Sequence, residues 1–192
     1  MKLNAKQIGA IFIAALFGLS FIGYIGIGGN NHSGQSNLAG SQTIDYNGHK
    51  IISESNYWRV DVANQARYFL NPPTALETFE VPANLNEVLS NSKVYLAYDP
   101  TQEVDLVQIR SIAYNFFNPI GIQSFPACVK EEFCPDIPII DCTQDHAIVF
   151  LQDNSTTSIT TNNNCIEFRA LNSATMVRQL ERVFYTALGV MS

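Results

Sequence analysis

Charge is scarce in this chain, and what there is does not gather. Lys, Arg, Asp and Glu make up 15% of the 192 residues and leave a net charge of −6, whereas an average soluble domain carries about 25% charged residues. No cluster of Lys and Arg occurs anywhere. This argues against a nucleic-acid partner, which needs a basic patch to displace counterions from phosphates, and it gives an anionic lipid surface little to hold. Histidine is rare too, with three copies. The chain has no H-E-x-x-H, no G-x-S-x-G, no phosphate-binding loop motif and no dinucleotide fingerprint, each of which would carry its own chemistry. No catalytic, cofactor or metal-ligating residue is therefore expected. Enzymatic activity is left open, with a non-enzymatic role preferred.

Long hydrophobic runs are also missing, with one exception. Residues 8–29, IGAIFIAALFGLSFIGYIGIGG, carry no charge, and a helix of about 20 such residues spans the hydrocarbon core of a bilayer. Lys2 and Lys6 precede the run, whereas residues 30–42 contain neither Lys nor Arg. The positive-inside rule then places the N-terminus in the cytoplasm and the rest outside. A cleavable signal peptide has an apolar core of only about 7–15 residues, so the small-x-small mimic Gly26-Ile27-Gly28 does not favour cleavage. A lipoprotein anchor would need a cysteine just after the run, and the first is Cys128. An uncleaved single-pass signal anchor over 1–29 is expected in the cell membrane, with a flexible polar stalk over 30–42. Ala10, Ala14 and Gly18 recur at four-residue spacing, a small-residue face through which two anchors could approach as a homo-oligomer.

Four cysteines remain, three of them inside CVKEEFCPDIPIIDC at 128–142. Their spacing, C-x5-C-x7-C-x22-C, fits neither the short paired spacings of a zinc site nor a C-x-x-C redox centre. On the oxidising, translocated side of a membrane, an even number of cysteines reads as two disulfides. Bridged residues need Cα atoms within about 7 Å. Cys128 closes one expected strand, while Cys142 and Cys165 each precede one, so matching the ends of the sheet gives Cys128–Cys134 and Cys142–Cys165.

Residues 43–192 read as one α/β body, with an α+β arrangement as the alternative. Asn47-Gly48 marks a hairpin turn, and residues 43–70 continue as a small antiparallel meander. KVYLAYDP at 93–100, a helix over 103–117 and GIQSFPAC at 121–128 form a β-α-β unit. HAIVFLQD is a further buried strand, taken as the parallel neighbour of IQSFPAC. TSITT and CIEFRA form a hairpin. A helix capped by Asn172 or Ser173 follows, with Met176, Val177, Leu180, Val183, Phe184, Ala187 and Leu188 along one apolar face.

Carboxyl ends of strands gather ligands in open α/β sheets, which makes Asp99, Glu131, Glu132 and Asp153 the candidate edge for a cation or polar ligand. Cys142 with His146 does not read as a nucleophile and base, because the thiol is expected to be oxidised. Asn31 and Asn154 open N-x-S/T sequons that would accept glycans outside the cell. The IGAIF-type anchor, the polar stalk and the CPDIPIIDC segment together resemble small uncharacterised archaeal membrane-anchored proteins. That resemblance covers most of the chain and implies no activity. The functional expectation is a membrane-tethered extracytoplasmic domain that binds an envelope protein or assembles in the envelope. The alternative is an envelope enzyme or a cation- or polar-ligand-binding domain that uses the strand-end carboxylates.

Overall fold

A computed structural model describes residues 42–143, 146–162 and 164–192. Residues 8–29, most of the stalk and Asn31 lie outside these. Among the described residues no helix is long and apolar enough to cross a membrane.

The fold is mixed α/β and begins with four strands: β1 (Thr43–Tyr46), β2 (His49–Glu54), β3 (Tyr57–Val62) and β4 (Gln65–Phe69). They form an antiparallel sheet in sequential order. Asn47 and Gly48 at the first turn, and Ala63 and Asn64 at the third, all take positive φ. That is the two-residue geometry whose twist matches the strands it joins. Ala63 is an unexpected residue there, since glycine or asparagine adopts positive φ more readily.

A short helix α1 (Leu85–Leu89) precedes β5 (Lys93–Tyr98), α2 (Leu106–Phe117) and β6 (Gln123–Cys128). β7 (Ala147–Gln152), β8 (Ser158–Asn162), β9 (Cys165–Ala170) and α3 (Ser173–Ala187) complete the chain. The second sheet has the order β6-β5-β7-β9-β8, parallel except for the antiparallel β8–β9 pair. The expectation that the strand ending at Cys128 and the strand after His146 are neighbours is corrected here, because β5 lies between them. β5 is the natural centre: its apolar residues face both ways, with Val94, Leu96 and Ala97 all buried. Asp105 caps α2 by accepting from the Gln108 N–H, so the helix starts three residues later than expected. Asn172 caps α3 through the Thr175 N–H.

α3 is the centre of the molecule. Residues 179–185 are all buried, so the helix is covered on every side rather than along one apolar stripe. On one side Phe184 stacks on Phe116 of α2 at 3.8 Å, and Tyr185 stacks on Phe69 of β4 at 3.8 Å. On the other, the Gln179 side-chain amide donates to the carbonyls of Ser158 and Arg169, each at 3.0 Å. Ile51, Val60 and Phe69 of the meander share one core with Val94, Leu96, Ile148, Phe150, Ile166 and Phe168 of the second sheet. The helices form the layer between the two sheets.

The second sheet's other face is covered differently. A right-handed crossover from β6 back past β5 to β7 must run over the face opposite to that of α2. Ile140 packs there against Ala97, Ala127, Ala147 and Val149, with Cys142 beside them. The small residues let an extended strap lie close to the sheet. On its way the strap bonds to the end of β6's free edge: the Cys128 N–H donates to Pro138 O at 2.9 Å, and the Ile140 N–H to Cys128 O at 2.8 Å. Disulfides join Cys128 to Cys134 and Cys142 to Cys165, which fastens the strap at both ends. This is the pairing that matching the sheet ends favoured. The segment DIPII pairs only through an isolated parallel bridge between Ile139 and Cys128.

Candidate functional site

Two of the four strand-end carboxylates, Asp99 and Asp153, are occupied by their own loops. Asp99 accepts from the Thr101 N–H at 2.9 Å and its hydroxyl at 2.6 Å, and Lys130 pairs with it at 2.9 Å. Burial pushes the Asp99 carboxyl up, but the bonds from Thr101 and Lys130 outweigh it and hold it below the usual range. Asp153 makes the same turn with Ser155, and so does Asp141 with Thr143. The partner hydroxyl is the main reason that both carboxyls sit low. These three Asp-x-Ser/Thr turns tie down loop backbone. Glu131 and Glu132 are exposed and form no ion pair among the described residues. Among those residues no three His, Cys, Asp or Glu side chains lie close enough to hold a metal ion. Asn154 is exposed between β7 and β8. Cys142 is bridged, and the His146 ring lies 2.9 Å from the Asn91 amide, so the two form no nucleophile and base.

A different place stands out. A cleft of about 380 Å³ separates β4 from α2, with Tyr57, Tyr68 and Leu70 on one wall and Val107, Gln108, Ser111 and Asn115 on the other. It continues past Tyr57, Tyr68 and Asn115 into a space of about 420 Å³ at Ala66 and Arg67. Tyr57, Tyr68 and Val107 are 49%, 53% and 82% exposed. Tyrosine beside Ser, Asn and Gln is the composition of adaptable binding surfaces, where aromatic rings give area and amides give hydrogen bonds.

The backbone along this cleft is open. A two-residue turn makes Val62 and Gln65 a hydrogen-bonded pair, and antiparallel pairs then alternate. In the observed register Arg67 opposite Val60 and Phe69 opposite Trp58 bond towards β3. Ala66 and Tyr68 therefore turn their N–H and C=O groups away from β3 to the free edge, where they take no partner among the described residues. The next position is different. The Leu70 N–H donates to one Glu181 oxygen, while the Asn71 N–H and side-chain amide donate to the other at 3.1 and 2.6 Å. Burial pushes the Glu181 carboxyl up despite these bonds. Glu181 thus ends the open edge after Tyr68.

Arg67 is the other unusual group. It points inward from β4 and is 5% exposed. Its Nη2 donates to Gln65 at 2.6 Å, but its buried Nε and Nη1 have no hydrogen-bond partner among the described residues. Burial pulls its pKa down. Sequence alone marks residues 43–70 only as a meander and gives Arg67 no role. The one available signal was a charge in step with the inward alternation of Phe69, two residues on.

A further hollow of about 560 Å³ lies along β8 between Thr157–Thr160 and Thr78–Glu80. It is lined mainly by hydroxyls, and Asn84 holds Thr161 of that edge. No protein-family model, curated protein or solved structure matches the chain.

Proposed function

We propose that this chain is a membrane-tethered extracytoplasmic binding module, and that it captures an extended segment of another envelope protein as an added strand beside β4. The observation that carries the reading is the open edge at Ala66 and Tyr68, set in a cleft walled by α2. Main-chain hydrogen bonds to such an edge supply affinity, and pockets for alternate side chains supply selectivity. A wall beyond the edge leaves room for a single extended segment and obstructs a second folded sheet. The two disulfides support an oxidising compartment, and residues 8–29 supply the tether to the bilayer. Asp99 and Asp153, engaged in their own turns, favour this reading over a ligand site at the top of the sheet.

Two experiments test it. A reporter fused after Ser192 should give an extracytoplasmic signal; a cytoplasmic one contradicts the topology. A photo-crosslinking residue at position 68 should trap one discrete partner in native membranes, and the same residue in place of Tyr114 should not. Ala66→Pro should abolish the crosslink, because proline removes an outward N–H without breaking a bond to β3. Crosslinking that survives Ala66→Pro would rule out strand addition.

A further inference from the structure

We infer that the segment added beside β4 carries an acidic side chain opposite Arg67, so the selected partner is an extended polypeptide with an inward-facing Asp or Glu. This rests on the strand-addition reading and goes beyond it by naming the chemistry that the cleft selects. Arg67 is nine-tenths buried on the strand that forms the edge, and two of its guanidinium nitrogens have no partner among the described residues. Buried polar groups are almost always hydrogen-bonded, so free buried donors call for a partner. Arg67 also lines the outer part of the cleft with Tyr57, Ala66, Tyr68 and Asn115.

Register supplies the geometry. With Ala66 and Tyr68 hydrogen-bonded to an antiparallel newcomer, the residue opposite Arg67 falls in a non-hydrogen-bonded pair. In such a pair the Cα atoms are only about 4.5 Å apart and the side chains are closest. That residue faces the same way as Arg67, towards α2. A carboxylate there can take one free donor, Nε or Nη1, together with the second hydrogen of Nη2, the bidentate arrangement that guanidinium favours. Its neighbours point outward, alongside Tyr68. Glu181 holds the Leu70 N–H, which limits pairing to the stretch before Leu70 and fixes a single frame. An inward charge also discourages indiscriminate pairing of an exposed edge, so Arg67 both rejects apolar strands and accepts an acidic one.

The test is to pan a random nonapeptide display library against the full chain in detergent, with Ala66→Pro as the counter-selection. Enriched peptides should share Asp or Glu at one fixed position, flanked by alternating residues. Asp→Asn at that position of the peptide should weaken binding at least about tenfold, and Arg67→Met in the protein should remove the acid preference. The peptide substitution reads the same contact without altering the protein, so a poorly folded Arg67 variant does not blunt the test. Enriched peptides with no acid preference, or equal binding of the Asp and Asn forms, would overturn the role of Arg67 and leave strand addition standing. Failure to enrich any peptide over Ala66→Pro would overturn both.

Discussion

The edge of β6 and the edge of β4 face opposite fates in the same molecule. The first is held at its end by a strap that bonds both the N–H and the C=O of Cys128 and is fastened by two disulfides. The second is left open at Ala66 and Tyr68 and faces a cleft. Exposed edges are normally blunted because they template pairing, and this chain has covalent means to blunt one. Of the other two edge strands, β1 is four residues long, and β8 presents Ser and Thr with Asn84 holding Thr161. Leaving β4 open while strapping β6 therefore reads as a division of labour between a sealed side and a receiving side.

The largest effect should come from unsealing the strap. The Cys142–Cys165 bridge spans 23 residues and Cys128–Cys134 spans 6. Loop-closure entropy assigns the two about 3 and about 2 kcal/mol. Cys165→Ser should lower the melting temperature more than Cys134→Ser, and neither should affect what β4 binds. Equal losses would show that the far end of the strap does not bear on the small-residue face. Four free thiols in protein isolated from native cells would contradict the proposed oxidising compartment.

The receiving side can be broken at its terminus. Glu181→Gln replaces an acceptor with a donor facing the Asn71 N–H, and should destabilise the fold by about 1–3 kcal/mol in chemical denaturation. Arg67→Met should do the opposite. It removes a buried cation with unpartnered nitrogens, so thermal stability should hold or rise by about 1 kcal/mol, while binding falls. A residue kept only for structure would lose stability on removal, so a sharp drop in melting temperature for Arg67→Met would contradict the comparison.

The two sides also differ in sign with pH. The folded Glu181 carboxyl is raised by burial. Its contribution is complete below the ordinary carboxylate range and is lost as pH rises through its raised value. Asp141 and Asp153 are held low by Thr143 and Ser155. Their contribution is present above the ordinary range and is lost as pH falls through the folded values. Stability should therefore be greatest near the ordinary carboxylate range, at about pH 4. Glu181→Gln should remove the decline on the alkaline side alone, and Asp153→Asn should soften the acid side alone. These are the smallest effects, read as slopes of melting temperature against pH.

Local signals made much of this architecture legible. Asn47-Gly48 announced a hairpin, Asn172 a helix start, and two-sided apolar runs the parallel strands. The cysteine pairing followed from which strand ends lie together, a conclusion that survives inserting β5 between β6 and β7. The insertion itself was not readable, because strand order is set by crossover geometry and not by any residue of β5. The burial of α3 on all sides was hidden for a related reason. Gln179, Glu181 and Arg182 look like a solvated face, and only tertiary partners convert them into buried links. The open edge needed the register of β3 and β4 before Ala66 and Tyr68 could be told from Arg67 and Phe69. Asp99 and Asp153 were legible as strand-end positions, but their Asp-x-Ser/Thr spacing already encoded turns that occupy them.

The most direct measurement is amide hydrogen exchange, residue by residue, in the full chain with and without a selected acidic nonapeptide. The Ala66 and Tyr68 amides should exchange fast in the free protein and become protected on binding. The Arg67 amide, already bonded to β3, and the Leu70 amide, already held by Glu181, should change little. Protection of Ala66 and Tyr68 in the free protein, or peptide binding that leaves both fast, would contradict the claim that β4 is an edge kept open to receive a strand.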